Sequence, residues 1–161
     1  MKSRLLLLFF LLTGLIACKS KSAFNYSEKI VKTERSLVPD IEKTENEVAG
    51  FFSRESYDSA VTVCARMESI VDSKIKEIEK LEPPRVKEAD NFKQATLKYF
   101  SYMKSIYTAY REYAMQTNEE DREKERQQLI KIVDEKEEAI ADMQRVQSKY
   151  AKANGLRMEN K

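Results

Sequence analysis

From Phe24 onward, the apolar residues of this chain recur at alternating spacings of three and four. This spacing places them on one face of an α-helix, because a helix has about 3.6 residues per turn. The chain has only three glycines and three prolines, whereas β-sandwiches and barrels need many more turn residues. The pattern therefore predicts an all-α protein built from long amphipathic helices.

Interruptions of the pattern divide the chain into four helices, which we predict over residues 26–49, 54–81, 84–116 and 119–153. Residues 50–54 supply the first connection, and Ser53 is the expected N-cap of the second helix. Pro83 and Pro84 separate the second and third helices, because the residue before a proline is pushed out of the helical region. Proline also suits a helix start, so we expect the third helix to begin there.

Local signals refine the first and fourth helices. Asn25 with Glu28 resembles a capping box at the start of the first helix. Pro39 lacks a backbone donor, which predicts a kink over residues 36–39 or, alternatively, two shorter helices. Thr117-Asn118-Glu119-Glu120 resembles a second capping box. Asn154-Gly155 is expected to end the fourth helix in a left-handed turn, on which the next leucine folds back.

Four such helices with short connections bury their apolar faces best when they pack antiparallel. The sequence thus predicts a single up-down-up-down four-helix bundle over residues 26–156, followed by a frayed tail over residues 157–161. A long dimeric coiled coil is the structural alternative, since parts of the pattern follow a seven-residue period. Pro39, Gly50 and the Pro83-Pro84 pair interrupt that period and favour the bundle.

The N-terminal segment has a different character. Lys2 and Arg4 precede an apolar run from Leu5 to Ala17, which is shorter than the roughly 20 residues that a membrane-spanning helix needs. A basic start, a short apolar core and a small final residue are typical of a cleaved secretory signal. Residues 1–17 are therefore expected to be a signal peptide. The segment closes with Leu15-Ile16-Ala17-Cys18, which resembles the lipobox of bacterial lipoproteins.

This resemblance implies a role for each position of the motif. Leu15, Ile16 and Ala17 would be recognised by the signal peptidase, and the thiol of Cys18 would carry the acyl chains, palmitate among them. Two or three acyl chains hold a protein stably on a bilayer, whereas one holds it only marginally. The chain would thus contact the membrane through Cys18, with residues 18–25 as a lipidated tether that spans at most roughly 25 Å.

The residues after the cysteine bear on the location. In the lipoproteins that this chain resembles, a residue other than Asp after the cysteine generally permits transfer to the outer membrane, and Lys19 fits that pattern. Lys19-Ser20-Lys21-Ser22 departs from the acid-rich signal that brings some Bacteroidota lipoproteins to the cell surface. The resemblance therefore implies a lipid-anchored protein of the bacterial cell envelope, on the outer membrane facing the periplasm, with surface exposure as the alternative.

Removal of residues 1–17 changes the charge and the cysteine count. The whole chain has 29 basic and 27 acidic side chains, and loss of Lys2 and Arg4 leaves the mature chain neutral. A neutral chain lacks the basic excess typical of nucleic-acid binding, so we expect no nucleic-acid partner. Cys64 is then the one thiol without a lipid, and its place in a seven-residue apolar series predicts packing in the core rather than a redox role.

The residue types exclude several kinds of chemistry. The chain has no histidine, which is the commonest general base and a frequent metal ligand. It also has no Gly-rich phosphate loop, no Gly-x-Ser-x-Gly elbow and no Cys-x-x-Cys pair. The charged runs at residues 119–126 and 134–138 mix both signs and lack the spacing of a calcium loop. We therefore expect no catalytic residue, no metal and no cofactor.

Tyrosines are concentrated in the third predicted helix, at positions 99, 102, 107, 110 and 113. Tyr99, Tyr110 and Tyr113 share the predicted apolar face, whereas Tyr102 and Tyr107 are expected outside or beside it. Aromatic side chains are enriched at protein interfaces. Packing is the favoured interpretation of the tyrosine group, and a surface for a partner or a glycan around Tyr102 and Tyr107 is the alternative.

The whole chain resembles small helical-bundle lipoproteins of Bacteroidota and spirochaete envelopes. The resemblance rests on the lipobox, the four helices, Glu82-Pro83-Pro84 and the ending Tyr150-Ala-Lys-Ala-Asn-Gly-Leu156. The first hypothesis for the function is a non-catalytic lipoprotein whose bundle binds an unidentified envelope protein or acts as a scaffold. A carrier of a small apolar ligand between the helices is the second hypothesis. An enzyme with a carboxylate and tyrosine site is a distant third.

Overall fold

A computed structural model describes the backbone of residues 2–157 and the side chains of residues 19–157. Its helices are α1 (Lys2–Arg35), α2 (Val38–Ser53), α3 (Tyr57–Glu79), α4 (Ala89–Met115), α5 (Glu119–Asp134) and α6 (Lys136–Ala153). Since α1 continues into α2 and α5 into α6, the six helices form four arms. The predicted all-α, antiparallel four-helix bundle is thereby confirmed. Met1, residues 158–161 and the side chains of residues 2–18, which cover the predicted signal peptide and the lipobox, lie outside the described part.

The first arm is broken beside Pro39. α1 ends at Arg35, residues 36–37 form a turn, and α2 begins at Val38 with Pro39 in its first turn. A proline is tolerated there because the first N–H groups of a helix have no intrahelical acceptor. Leu37 is fully buried at the break. The arm therefore consists of two helices rather than one kinked helix.

The expected tether is not an extended segment. Residues 19–25 belong to α1, and neither Asn25 nor Glu28 starts a new helix. Ala23 and Tyr26 are buried, and the hydroxyl of Tyr150 in α6 donates a hydrogen bond of 2.9 Å to the carbonyl of Ala23. The prediction of a tether over residues 18–25 was wrong. Burial of Ala23 stabilises the helical turn before the predicted capping box at Asn25, so α1 continues through that box.

Both connections around α3 differ from the predicted ones. Ser53 is the last residue of α2 rather than a cap, and α3 begins only at Tyr57, after Glu55 with its positive φ of 55°. α3 ends at Glu79, and α4 begins at Ala89 rather than beside the prolines. The two prolines lengthen the connection because each holds the preceding residue outside the helical region.

The fourth arm also has a break that the pattern did not predict. α5 ends at Asp134 and α6 begins at Lys136. None of the side chains of α5 is buried, and Ile130 and Val133 are exposed. The buried side chains of this arm therefore all come from α6. Its two ends follow the prediction closely, since Asn118 accepts a hydrogen bond from the N–H of Asp121 at 2.9 Å and Gly155 has a φ of 68°.

The core consists of three clusters along the bundle. The basal cluster contains Ala23, Tyr26, Ile30, Ile78, Ala89, Phe92, Met143 and Tyr150. The middle cluster contains Leu37, Met67, Val71, Phe100, Met103 and Tyr107, and the distal cluster contains Val48, Val63 and Cys64. We call the two ends of the bundle basal and distal accordingly. The described part of this core joins all four arms.

Candidate functional site

Helix α4 is the central helix of the bundle, since it packs against α3 on one side and against α5 and α6 on the other. Because of this packing on two sides, α4 buries tyrosines on more than one of its faces. Tyr107 is only 3% exposed and belongs to the middle cluster. This burial agrees with packing, the favoured interpretation of the tyrosine group. The expected place of Tyr107 outside or beside the apolar face was wrong, because a helix packed on two sides buries more than the single face that the pattern assumes.

Tyr102 lies where the prediction expected it, beside the core. Its side chain is half-buried, and its hydroxyl donates a hydrogen bond of 3.0 Å to the carbonyl of Ile132, near the end of α5. This bond ties α4 to the fourth arm just before the break at Glu135. Of the two tyrosines proposed as a partner surface, only Tyr102 therefore borders an accessible site.

A groove of about 700 Å³ opens between α4 and α6 next to this break. Tyr99 and Tyr102 form its aromatic part, and charged side chains from both helices complete it. The wall from α4 contains Ala95, Lys98, Tyr99, Ser101, Tyr102 and Ser105. The opposite wall contains Glu135, Glu138, Ala139, Asp142, Met143, Arg145 and Val146. The groove thus combines aromatic rings, hydroxyl groups and charges of both signs.

Ion pairs connect the two walls. Asp142 of α6 accepts hydrogen bonds from Lys98 of α4 and from Arg145, both at 3.1 Å. These two partners, Lys98 first, hold the pKa of Asp142 below its usual range. The carboxylate is therefore charged at neutral pH and links the two helices across the groove.

The tyrosines of the groove are hydrogen-bond donors at neutral pH. Burial raises the pKa of Tyr99 above its ordinary value, and the nearby carboxylate of Glu34 raises it further. Burial is also the main cause that raises the pKa of Tyr102. Both phenols therefore stay protonated, which suits binding of a polar partner better than proton transfer near pH 7.

An aromatic cluster at the distal end was not recognised from the sequence. The ring of Phe52 lies 5.3 Å from that of Tyr113 and 6.3 Å from that of Tyr57, measured between centroids. The guanidinium of Arg122 lies over Tyr57, 4.2 Å from the ring centroid. These residues come from α2, α3, α4 and α5, so no local spacing could have indicated them. Their contacts hold all four arms together at this end.

Cys64 lies in the distal cluster, and its predicted packing in the core is confirmed. The side chain is fully buried. Burial, with a smaller contribution from the carboxylate of Glu68, raises the pKa of the thiol to about 12. The thiol is therefore protonated at neutral pH and shielded from reagents, and it adds no reactive group to the groove.

Within residues 19–157, no three Cys, Asp or Glu side chains come close enough together to hold a metal ion. Across the same part of the chain, no helix is long and apolar enough to cross a membrane. Comparison of the chain with protein-family models, with curated proteins and with solved structures found no match. Any functional conclusion therefore depends on the motif at the N-terminus and on the geometry of the bundle.

Proposed function

We propose that this chain is a bacterial envelope lipoprotein, anchored through acyl chains on Cys18, whose bundle is a non-catalytic binding or scaffold module. Its anchor follows from the order of a basic start, an apolar run and Leu15-Ile16-Ala17-Cys18. Lys19 after the cysteine favours the outer membrane, and the absence of an acid-rich segment there favours the face toward the periplasm.

Burial of Ala23 is the structural observation that best supports this architecture. Ala23 lies only five positions after Cys18 within α1. At 1.5 Å per helical residue, those five positions correspond to about 8 Å along the helix axis. The hydrogen bond from Tyr150 fixes this turn of α1 to α6. A lipid on Cys18 would therefore hold the basal end of the bundle directly at the bilayer.

The groove between α4 and α6 is the proposed binding site, with an envelope protein as its partner. Aromatic side chains with hydroxyl groups and charges at the border are typical of protein interfaces. Tyr99 and Tyr102 would supply the aromatic contacts, and the Lys98–Asp142 pair would supply polar ones. The position of the groove between two helices leaves it accessible to a partner in the same compartment.

The second candidate, a carrier of a small apolar ligand, needs an enclosed apolar cavity. The aromatic side chains of α4 that could line one are packed instead, since Phe92 stacks on Tyr150 with ring centroids 4.7 Å apart and Phe100 is fully buried. The groove itself is open and carries charged residues. These contacts favour a binding module over a carrier. The raised pKa values of Tyr99 and Tyr102 keep both phenols protonated, so neither would act as a general base in the third candidate, an enzyme.

Replacement of Cys18 by serine is expected to abolish lipid labelling. A hydroxyl cannot take the place of the thiol in the transfer of the diacylglyceryl group, so the variant should remain an uncleaved precursor. The measurement is metabolic labelling with an alkyne analogue of palmitate in a bacterial host, read together with the size of the product. Cys64→Ala is the matched control, because it removes the other cysteine and should leave labelling intact. Undiminished labelling of Cys18→Ser would refute the anchor.

A photo-crosslinking residue at position 138 is expected to capture a protein partner in intact cells. Glu138 is an exposed residue of the groove, and Glu120, exposed at the start of α5, is the matched control outside it. Adducts should form from position 138 and be lost when Tyr102 is also replaced by alanine. No adduct from position 138, or equal adducts from both positions, would contradict the proposed binding site.

A further inference from the structure

The basal end of the bundle is rich in basic side chains. Three segments form it: residues 19–25, 79–90 and 149–157. Together they carry eight basic and four acidic side chains. Lys149 pairs with Glu88 at 3.2 Å. The other seven basic side chains are exposed: Lys19, Lys21, Lys80, Arg85, Lys87, Lys152 and Arg157. Among the described side chains, none of these seven forms an ion pair.

Specific contacts hold the three segments together. The hydroxyl of Tyr150 donates to the carbonyl of Ala23, which joins α6 to the first turns of α1. The side-chain amide of Asn154 donates to the carbonyl of Lys87 at 2.9 Å, which joins the end of α6 to the connection between α3 and α4. Leu156 packs against the basal cluster. The basic residues are therefore neighbours in space although they are far apart in the sequence.

The distal end has the opposite charge. Residues 45–58 and 111–126 carry ten acidic and five basic side chains. Because the chain after residue 17 is neutral overall, positive charge at one end and negative charge at the other make the bundle a dipole along its long axis. Such a charge distribution orients a protein near a charged surface.

From this distribution we infer that the basal end is a docking surface for anionic phospholipid headgroups. The inference deepens the proposed function, since the backbone of position 18 lies at the same end of α1. An acylated Cys18 would bring the seven basic side chains to the headgroups, and the helical residues 19–22 leave no slack between lipid and bundle. The acidic distal end is repelled by the same surface, so the bundle stands upright on the membrane.

The size of the effect follows from general membrane electrostatics. Each lysine or arginine close to an anionic membrane strengthens the binding of a protein to that membrane about five-fold. The side chain must lie within about 8 Å of the surface, which is the Debye length at physiological salt. Phe24, which is 53% exposed, adds an apolar side chain of the kind that membrane-surface helices bury at the boundary between headgroups and acyl chains. Several basic side chains together are therefore sufficient for measurable binding without any lipid on the protein.

The test uses the chain from residue 18 to 161 with Cys18→Ser, which carries no acyl group and retains the whole described core. Its binding is measured by sedimentation with two kinds of vesicle, pure phosphatidylcholine and an equal mixture of phosphatidylglycerol and phosphatidylcholine. We expect binding to the anionic vesicles alone, and at least a ten-fold loss when sodium chloride rises from about 0.05 M to about 0.5 M. Equal binding to both kinds of vesicle, or none to either, would overturn the inference.

Two four-residue variants with the same net charge locate the surface. Lys80→Gln, Arg85→Gln, Lys87→Gln and Lys152→Gln together should weaken binding to the anionic vesicles at least ten-fold. The control carries Lys43→Gln, Lys124→Gln, Lys131→Gln and Lys136→Gln, which are exposed positions outside the three basal segments, and should bind like the parent. Equal losses in both variants would show a non-specific charge effect and reject the basal surface.

This experiment is independent of the labelling of Cys18. Loss of selective vesicle binding with intact lipid labelling rejects the docking surface and leaves the anchor in place. Selective vesicle binding without any lipid labelling rejects the anchor and retains a peripheral membrane surface. The two failures are thus distinguishable.

Discussion

Replacement of Phe92 by alanine is expected to lower the free energy of unfolding by about 3 to 5 kcal/mol. The ring is fully buried in the basal cluster, stacks on Tyr150 at 4.7 Å and meets the edge of Tyr26 at 6.2 Å. These three side chains come from α4, α6 and α1. Loss of the ring therefore removes packing contacts among three arms at once. Domains of this size are stable by about 5–15 kcal/mol in total, which makes the loss a large share.

Urea unfolding followed by circular dichroism measures this loss. Phe24→Ala is the matched control, because it makes the same substitution on a side chain that is 53% exposed. We expect that control to change the free energy of unfolding by less than about 1 kcal/mol. Similar losses in the two variants would contradict the packing of the basal cluster described here.

The bundle is also expected to lose stability steeply as the pH rises toward 12. Burial raises the pKa of Tyr26 and of Tyr150 from 10.0 to about 12, and that of Cys64 from 9.0 to about 12. The unfolded chain releases these protons at the ordinary pKa values, whereas the native bundle retains them until about pH 12. The stability is therefore complete below pH 9 and decreases above it, by about 2 kcal/mol for each tyrosine at pH 12.

Unfolding in urea at a series of pH values from about 8 to 12 measures this decrease. Tyr26→Phe should shift it to higher pH without loss near neutrality, because the buried hydroxyl of Tyr26 has no hydrogen-bond partner within residues 19–157. Tyr150→Phe should give a similar shift but cost about 1 kcal/mol at neutral pH, since it breaks the hydrogen bond to Ala23. A pH dependence that is unchanged in both variants would disprove the role of these phenols.

The sequence predicted best those features that depend on neighbouring residues. Asn154-Gly155 ends α6 with the expected positive φ, and the N–H of Leu156 donates to the carbonyl of Ala151 at 2.9 Å. Pro39 marks the break in the first arm, because a missing N–H acts locally wherever it occurs. The positions of the arms and their antiparallel order follow from these local signals and the short connections.

The sequence predicted less well those features that depend on how many helices surround a position. A periodic pattern assumes one buried face, and α4 has two, which is why Tyr107 is buried while Tyr102 borders the groove. Apolar residues such as Ile130 fit the helical pattern of the fourth arm, yet α5 lies against α4 without burying any of its side chains. Information of this kind lies in the tertiary contacts and not in the spacing of one helix.

The candidate sites show the same division. Cys18 is read from a contiguous motif, whereas the groove combines side chains from α4 and α6, and the basal charges come from three distant segments. Lys87 and Lys152 share a surface because Asn154 hydrogen-bonds to the backbone of Lys87. The sequence alone shows only that the net charge after residue 17 is zero, because the positive basal end and the negative distal end of the bundle cancel in the sum.

Because α1 continues from position 18 into the basal cluster, the proposed anchor at Cys18 has a fixed angular position on that helix. Along an α-helix each residue turns the chain by about 100° and advances it by about 1.5 Å. One residue inserted between Lys21 and Ala23 would therefore rotate Cys18 by about 100° around the axis of α1. The number of residues before Ala23 thus sets the direction in which the proposed lipid would leave α1 at the basal end of the bundle.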